Sequence, residues 1–441
     1  MQLQGHFPRS LSFLGLMALS AACALGGPQS AQHGSDIAIG IPLSTTGGSA
    51  QEAVLTKQGY DLWLDWANRN GGIVIHGVRH RVRFVYENDN SDPQVSAQVT
   101  QQMITNEKVT ALLGPYGTTN TAAAAGIADR YHVPLVASTA AARQIFSQGY
   151  QYVFGVLAPV DQYPRALIDM VLASSLDPRP VTFAMLAADD VFSQSAAKVT
   201  TDFAVAGGLQ MVFSQTYSTG LTNFESIMQQ VKDTNPDILF NMGHLLESVA
   251  VHKAALDVQL DPKLFAYSVG PAEPAFVGAL GKAADYVYTV SPWTAGAKYK
   301  ASYYLSSADY VAAYRKKFRT DLEPSFVVAD ATAAGVALQA AIEHAQSLDR
   351  DRIRDALAGL NVDTFFGRIN FDAQGQNTAP PGFAPGVVVQ IQYGQQRTVW
   401  PPQLASALPA YPTPPWSIRL GLRPPPPRAE LPGTGSPQTA P

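Results

Sequence analysis

VTALLGPYGTTNTAAAAGIADRYHVPLVAS, residues 109–138, carries a complete unit of strand, turn, helix and strand. VTALLG and VPLVAS are short apolar runs of the kind that form buried strands, and the segment from Asn120 to Tyr131 between them reads as a helix. The turn LLGPYGTTNT, residues 112–121, gathers two glycines, one aromatic and three hydroxyl residues. A glycine-rich turn between strand and helix presents backbone N–H groups at a positive helix end, which suits a phosphate, a carboxylate or a polarised carbonyl. It has no Lys-Ser or Lys-Thr ending and no strict G-x-G-x-x-G lies nearby, so a nucleotide is disfavoured. A plain connection, with Thr118 or Thr119 capping the next helix, is equally compatible with the turn alone.

Working outward, the same alternation recurs. IAIGIPL (37–43) reads as a buried strand, and Tyr60, Trp63, Leu64 and Ala67 follow at helical spacing before Asn70-Gly71-Gly72. RVRFVYEND (81–89) alternates at period two, and Asp92 and Pro93 open a helix whose inner face carries Val95, Val99 and Met103. A second series follows YVFGV (152–156): VTFAMLAAD (181–189), LQMVFSQTY (209–217), DILFNMG (237–243), KLFAYSVG (263–270) and YTVSPW (288–293). The stretch from Ala301 to Leu360 is almost wholly helical, and TFFGRINFD and VVVQIQYGQQRTVW read as a pair of antiparallel strands. Repeated β-α alternation predicts an α/β protein with parallel sheets covered on both faces, here as two doubly wound lobes. In such sheets ligands sit beyond the carboxyl ends of the strands. GPYGTTNT, STTGGSAQ (44–51), STAAAR (138–143), ADDVFSQS (188–195), GHLLES (243–248) and SVGPAEP (268–274) all fall at such ends. Two lobes with facing carboxyl ends make a cleft.

With 441 residues and a formal charge of −4, the chain has room for two cores and no basic cluster suited to a phosphate backbone. Nucleic acid is not an expected partner. The first residues hold Arg9, an apolar stretch from Leu11 to Ala22 and then small residues, which reads as a secretory signal too short to span a bilayer permanently. Cys23 is the only cysteine and follows Ser20-Ala21-Ala22. This resembles the lipobox of bacterial lipoproteins, with Ser20 where Leu or Val is usual, and ordinary cleavage near Ala22 or Ala24 is the alternative. Both place the folded part outside the cytoplasm. From about Arg423 the Pro- and Gly-rich end predicts disorder.

Chemistry-bearing side chains point to binding rather than turnover. His244, Glu247 and His252 lack the spacing of a metal site, and Asp189 and Asp190 after a strand read as helix caps and first-turn charges. YENDNSDP lacks the sixth-place glycine and closing glutamate of a calcium loop and reads as a turn and cap. G-x-S-x-G is absent and Cys23 lies in the export signal, so no nucleophile class is supported. Trp63 and Trp66 read as core and helix surface. No metal, cofactor or enzymatic activity is expected.

IAIGIPLS, NRNGG, YENDNSDP, LLGPYGTTNT, VPLVAS, DRDRIRDALAGL, FGRINFDAQG and VWPP, in this order from about Asp36 to Trp416, resemble the leucine-binding-protein family of periplasmic substrate-binding proteins that feed ABC importers. The resemblance implies a type I fold, two lobes joined by three crossing segments that close on a small ligand by hinge motion. It implies a first lobe of residues 36–157 plus 292–362 and a second of 158–291 plus 363–416, after a signal of 1–23 and before a tail of 417–441. The return to the first lobe near Pro292 rests on this resemblance.

The resemblance also implies the site. Thr118 and nearby N–H groups, with Thr119 beside them, would hold a ligand carboxylate, and Tyr116 and Gly117 would line the same pocket. In STAAAR the second hydroxyl position matches Ala141, with Thr139 and Ala140 adjacent. In the second lobe Phe192 would pack on the ligand and His244 matches a tyrosine. Val269 stands where an acidic residue usually receives the ligand's ammonium, and Glu273 four residues on substitutes only if the loop is rearranged. A buried ammonium without a partner costs several kcal/mol, so an acid, an amide or an uncharged ligand with an apolar or aromatic body fits better than a plain α-amino acid. ABC permease subunits are the implied partners, with a membrane contact through lipid on Cys23 if it is acylated. A sensory receptor of the same fold is the alternative.

Overall fold

Ile37–Leu43 (β1) is buried at every position, as a strand covered on both faces must be. In the computed structural model, which describes residues 34–421 except 163, 174–175, 298, 300 and 379–385, β1 is the second strand of a five-stranded sheet. Its companions are Val82–Asn88 (β2), Ala111–Leu113 (β3), Leu135–Ala137 (β4) and Val153–Gly155 (β5), in the order β2-β1-β3-β4-β5, every ladder parallel. Helices Ala50–Arg69 (α1), Pro93–Thr105 (α2) and Thr118–Arg130 (α3) connect them. In α1 the inner face is Tyr60, Leu62, Trp63 and Ala67, so Leu62 rather than Leu64 is fully buried. Asp92 accepts the Gln94 and Val95 N–H groups and Pro93 is the first residue of α2, as their sequence order predicts.

The second sheet holds Thr182–Ala188 (β6), Gln210–Tyr217 (β7), Ile238–Met242 (β8), Leu264–Tyr267 (β9), Tyr288–Ser291 (β10), Val387–Gln392 (β11) and Gln395–Trp400 (β12). Their order is β12-β11-β10-β9-β8-β6-β7. The ladders from β7 to β10 are parallel, and β11 and β12 extend the sheet antiparallel. Val191–Ala206 (α4) follows β6 and Leu245–Asp257 (α5) follows β8.

After β10 the chain goes back to the first lobe. Phe326–Ala345 (α6) lies against α1, where the Thr332 hydroxyl bonds to the Gly59 carbonyl at 2.9 Å and Trp63 Nε1 donates to Gln339 at 2.9 Å. A Cβ on Gly59 would sit 2.3 Å from the Val328 carbonyl oxygen, and one on Gly335 2.4 Å from the Trp63 ring. These two glycines let the helices approach more closely than side chains allow. α6 is long and apolar enough to cross a bilayer, yet nearly all of it is buried inside the protein, as a core helix is.

The two C-terminal stretches do not pair with each other as expected. Asn361–Thr364 pairs with Gly367–Asn370 across a two-residue turn, while β11 pairs with β12. The first hairpin rests on the first lobe: the Phe365 ring stacks on Tyr310 at 3.9 Å, and Trp293 Nε1 donates to the Phe365 carbonyl. Gly155 of β5 donates to the Gly375 carbonyl and accepts from the Asn377 N–H. The expected boundary between 362 and 363 falls inside this ladder, and we propose to place it after Asn377. The three crossings then follow β5, β10 and Asn377. At the far end, Trp416–Arg419 forms a buried helical turn, so ordered structure continues beyond 416. Cys23, the signal and the rest of the expected tail lie outside the described residues.

Candidate ligand-binding cleft between the lobes

β3 ends at Leu113, and the turn that follows leads into α3. Gly117 has φ +80° and ψ 160°, a region essentially reserved for glycine, and it is the N-cap. No side chain caps α3, so neither Thr118 nor Thr119 serves as the cap. Thr118 instead begins the helix with its hydroxyl buried, and that oxygen has no hydrogen-bond partner among the described residues. The Gly117 N–H donates to Thr139 Oγ1 at 2.9 Å, joining the loops after β3 and β4. Tyr60 of α1 donates to the Gly114 carbonyl at 2.7 Å and lies 3.1 Å from Ser138 Oγ, which fixes both loops from below. Asp89, buried in YENDNSDP, accepts from the Ser44 hydroxyl at 2.6 Å and the Asn120 amide at 2.8 Å. That oxygen-rich turn is a brace for the start of α3.

The opposite wall is built from charge. Asp190 caps α4, accepting the Phe192 and Ser193 N–H groups and the Ser193 hydroxyl, whereas Asp189 binds Thr219 instead. Asp190 Oδ2 also lies 3.3 Å from His244 Nε2. His244 is the N-cap of α5, and its N–H donates to Glu247, which also accepts from Gly220. Burial opposes charge on both partners. The hydrogen bonds and field of the pair prevail, holding the Asp190 carboxyl down at about 2 and lifting the His244 imidazole to about 9. His244 is therefore cationic at neutral pH. His252, just over two turns further along α5, is a core residue, bonded to the Tyr267 hydroxyl at 2.8 Å and the Ala283 carbonyl at 2.9 Å. Among the described residues no three His, Cys, Asp or Glu side chains are grouped as metal ligands.

The two walls meet around a narrow cavity of about 20 Å³ lined by Tyr116, Gly117, Thr118 and Thr139 from the first lobe and Phe192, His244 and Val269 from the second. The Tyr116 hydroxyl lies 3.5 Å from His244 Nδ1, and the Phe192 and His244 rings are 5.5 Å apart. This volume admits roughly one water-sized group, so an amino-acid-sized guest requires the lobes to part.

Three expected residues do not reach the cavity. Thr119 points to solvent on the first turn of α3, and Ala140 and Ala141 are packed in the core. The Ala141 carbonyl ties two crossing segments, accepting from the Val160 N–H and the Gln376 amide. Leu157, Pro292 and Phe326 complete the lining and escaped the sequence reading. Leu157 and Pro292 lie where the chain leaves β5 and β10, and only that position could have pointed to them.

Glu52 also escaped the sequence reading, whereas Glu273 entered it only as a conditional substitute at Val269. Glu52, in the first turn of α1, and Glu273 are almost completely buried. The single turn Gly270–Ala272 carries the chain from Val269 directly to Glu273. Tyr116 on the cavity wall has its hydroxyl ionisation pushed up by burial and then by the fields of Glu273 and Glu52.

Two doubly wound lobes, three crossings and a cavity at the facing carboxyl ends define a bilobal binding protein of type I architecture. Residues 36–394 match the family described as periplasmic binding protein, and the chain belongs to that family. It is 23% identical over 400 residues to the Leu/Ile/Val-binding protein homolog 7 of Brucella suis biovar 1 (strain 1330), covering 88% of this chain and 96% of the relative. Among solved structures it is similar to the branched-chain amino acid transporter substrate binding protein LivJ of Streptococcus pneumoniae in complex with isoleucine. That match has a TM-score of 0.70 and 21% identity and covers 82% of this chain and 97% of the other. It is also similar to an ABC transporter solute binding protein of R. palustris in complex with benzoate, with a TM-score of 0.71, 17% identity and coverage of 82% and 95%.

Proposed function

We propose that this protein is the extracytoplasmic solute-binding component of an ABC importer. It captures a small ligand that is amino acid-like, an amide or a carboxylic acid with an apolar or aromatic body, closes on it by hinge motion and delivers it to the permease subunits. The observation that carries this reading is the interlobe cavity, where the buried, unpartnered Thr118 hydroxyl stands beside Thr139 and opposite Phe192 and Val269. Apolar walls with a few placed polar groups are what a small-molecule site requires. Thr139 Oγ1 accepts from Gly117, which leaves its own proton for a ligand oxygen. The family and the isoleucine and benzoate complexes of the similar structures support the ligand class. In this reading the protein works in the periplasm, held to the membrane by lipid if Cys23 is acylated.

The test is thermal-shift screening of purified protein against amino acids, amides and aromatic acids, with mass spectrometry of small molecules carried through purification. Stabilisation by at least one such compound, lost in Thr118→Val, is the expected result. A flat response across the panel overturns the reading. The mass of the mature N-terminus decides the anchor separately.

A further inference from the structure

We propose that residues 401–421 form an acid-released clasp on the second lobe, in which Arg419 and a protonated His252 compete for the Ala283 carbonyl. The family match ends at residue 394, before this segment begins.

The segment crosses the second sheet at the amino ends of its parallel strands, away from the cleft. The buried Gln390 side chain of β11 accepts the Ala410 N–H at 2.8 Å and donates to the Ala410 carbonyl at 2.9 Å. Tyr288, the first residue of β10, donates to the same carbonyl at 2.9 Å. The Thr413 N–H then reaches the Lys263 carbonyl just ahead of β9, and Trp416 Nε1 reaches the Leu260 carbonyl at 2.9 Å. These bonds are neutral and do not titrate in mild acid. The end of the segment is held by a charge.

Arg419 is buried with its guanidinium 3.8 Å over the Trp416 ring. Its Nη2 donates to the Ala283 carbonyl and lies 2.8 Å from His252 Nε2. Nε and Nη1 have no acceptor among the described residues, and no carboxylate among them touches the guanidinium. A buried cation with so few bonds is costly, so its seat is readily lost.

His252 Nε2 lies within 2.9 Å of the Ala283 carbonyl, and Nδ1 lies 2.8 Å from the Tyr267 hydroxyl. One nitrogen cannot serve both neighbours: Nε2 accepts from Arg419 or, when protonated, donates to Ala283. With Arg419 seated, the single imidazole proton belongs on Nδ1, facing Tyr267. A second proton on Nε2 meets the guanidinium head-on and has the carbonyl as its own acceptor. The imidazolium then keeps both oxygens, and Arg419 loses both acceptors.

Burial and then the Arg419 charge hold His252 well below its ordinary pKa of 6.5, whereas burial lowers Arg419 only to about 10, so it stays cationic. The other ionisable groups around the pair are Tyr267 on β9, Asp261 ahead of β9, and Lys282, Asp285 and Tyr286 ahead of β10. Released His252 regains its ordinary value. The clasp is therefore at full strength above about pH 6.5 and weakens as pH falls below it.

Hydrogen exchange of the full-length mature protein, corrected for intrinsic rates, tests this. Between about pH 7.5 and about pH 5.5, residues 406–420 are expected to lose roughly tenfold in protection while β1 and β8 keep theirs. His252→Gln keeps an acceptor for Arg419 without taking a proton and is expected to abolish that loss. Arg419→Gln is expected to open the segment at both pH values. An NMR titration of the wild-type His252 ring is expected to share its midpoint with the release. Equal acid loss in His252→Gln assigns the effect to Asp261 or Asp285 and overturns the proposal. So do a wild-type segment that stays protected, a parallel loss in β8, a ring midpoint apart from the release, and unchanged protection in Arg419→Gln.

Discussion

The two walls of the cleft solve the same problem with different materials. The first lobe presents a neutral wall of backbone and hydroxyls, in which Gly117, Thr118 and Thr139 are held by Tyr60 and Asp89 beneath them. The second presents a charged wall, in which Asp190 and His244 fix each other and two helix starts. The difference teaches where rigidity comes from. On the first lobe it is set by neutral hydrogen bonds that tie the turn to Tyr60, Asp89 and Thr139, and on the second by the charges of Asp190 and His244.

The comparison breaks most readily at Asp190. Asp190→Ala removes both a helix cap and the partner of a buried imidazolium, and is expected to cost about 3 to 5 kcal/mol in chemical denaturation. A cost below about 1 kcal/mol means the charged wall is no more rigid than an exposed ion pair. The pH dependence comes next. The folded state raises the His244 pKa from 6.5 to about 9, so its contribution is complete below about pH 6.5 and is lost as pH rises through about 9. Up to about 3 kcal/mol of unfolding free energy should disappear over that window, and His244→Asn should flatten it. Asp190 runs the other way: its depressed pKa contributes above 3.8 and is lost as pH falls through about 2.

On the neutral wall the effects are smaller and fall on affinity. Thr118→Val should weaken ligand binding by about 1 to 3 kcal/mol in titration calorimetry and leave stability unchanged or slightly improved, since its hydroxyl has no partner in the free protein. Gly117→Ala forces a side chain into a glycine-only conformation and should cost about 1 to 2 kcal/mol of stability. If Gly117→Ala proved harmless, the turn would be adaptable rather than preset, and the contrast between the walls would soften.

The same contrast governs what could be read from the sequence. The strands of both sheets were legible because fully buried parallel strands are continuous apolar runs bounded by glycine and polar turns, as in IAIGIPL and DILFNM. Most of the neutral wall's cavity-lining residues were legible for a similar reason, since Tyr116, Gly117 and Thr118 are consecutive in one short loop. Thr118 and Thr119 illustrate the remaining ambiguity: neighbours of one type, one turned into the cleft and one into water, a distinction that only helix phase decides. Glu52 and Phe326 come from two separate elements, and nothing local marks a glutamate in a helix's first turn as buried rather than solvated. The pairing of the C-terminal strands was misread because both stretches have strand character and partner choice depends on which lobe each one meets.

The tightness of the cavity has a kinetic meaning. Since a guest cannot enter while Tyr116 and His244 face each other at 3.5 Å, association waits on spontaneous opening, and apparent affinity is reduced by the fraction of molecules open at any moment. Observed binding rates should then level off at high ligand concentration at the rate of that opening. Substitutions at the contact that favour the open state would speed capture at the expense of retention, so the protein's selectivity includes a waiting time as well as a shape.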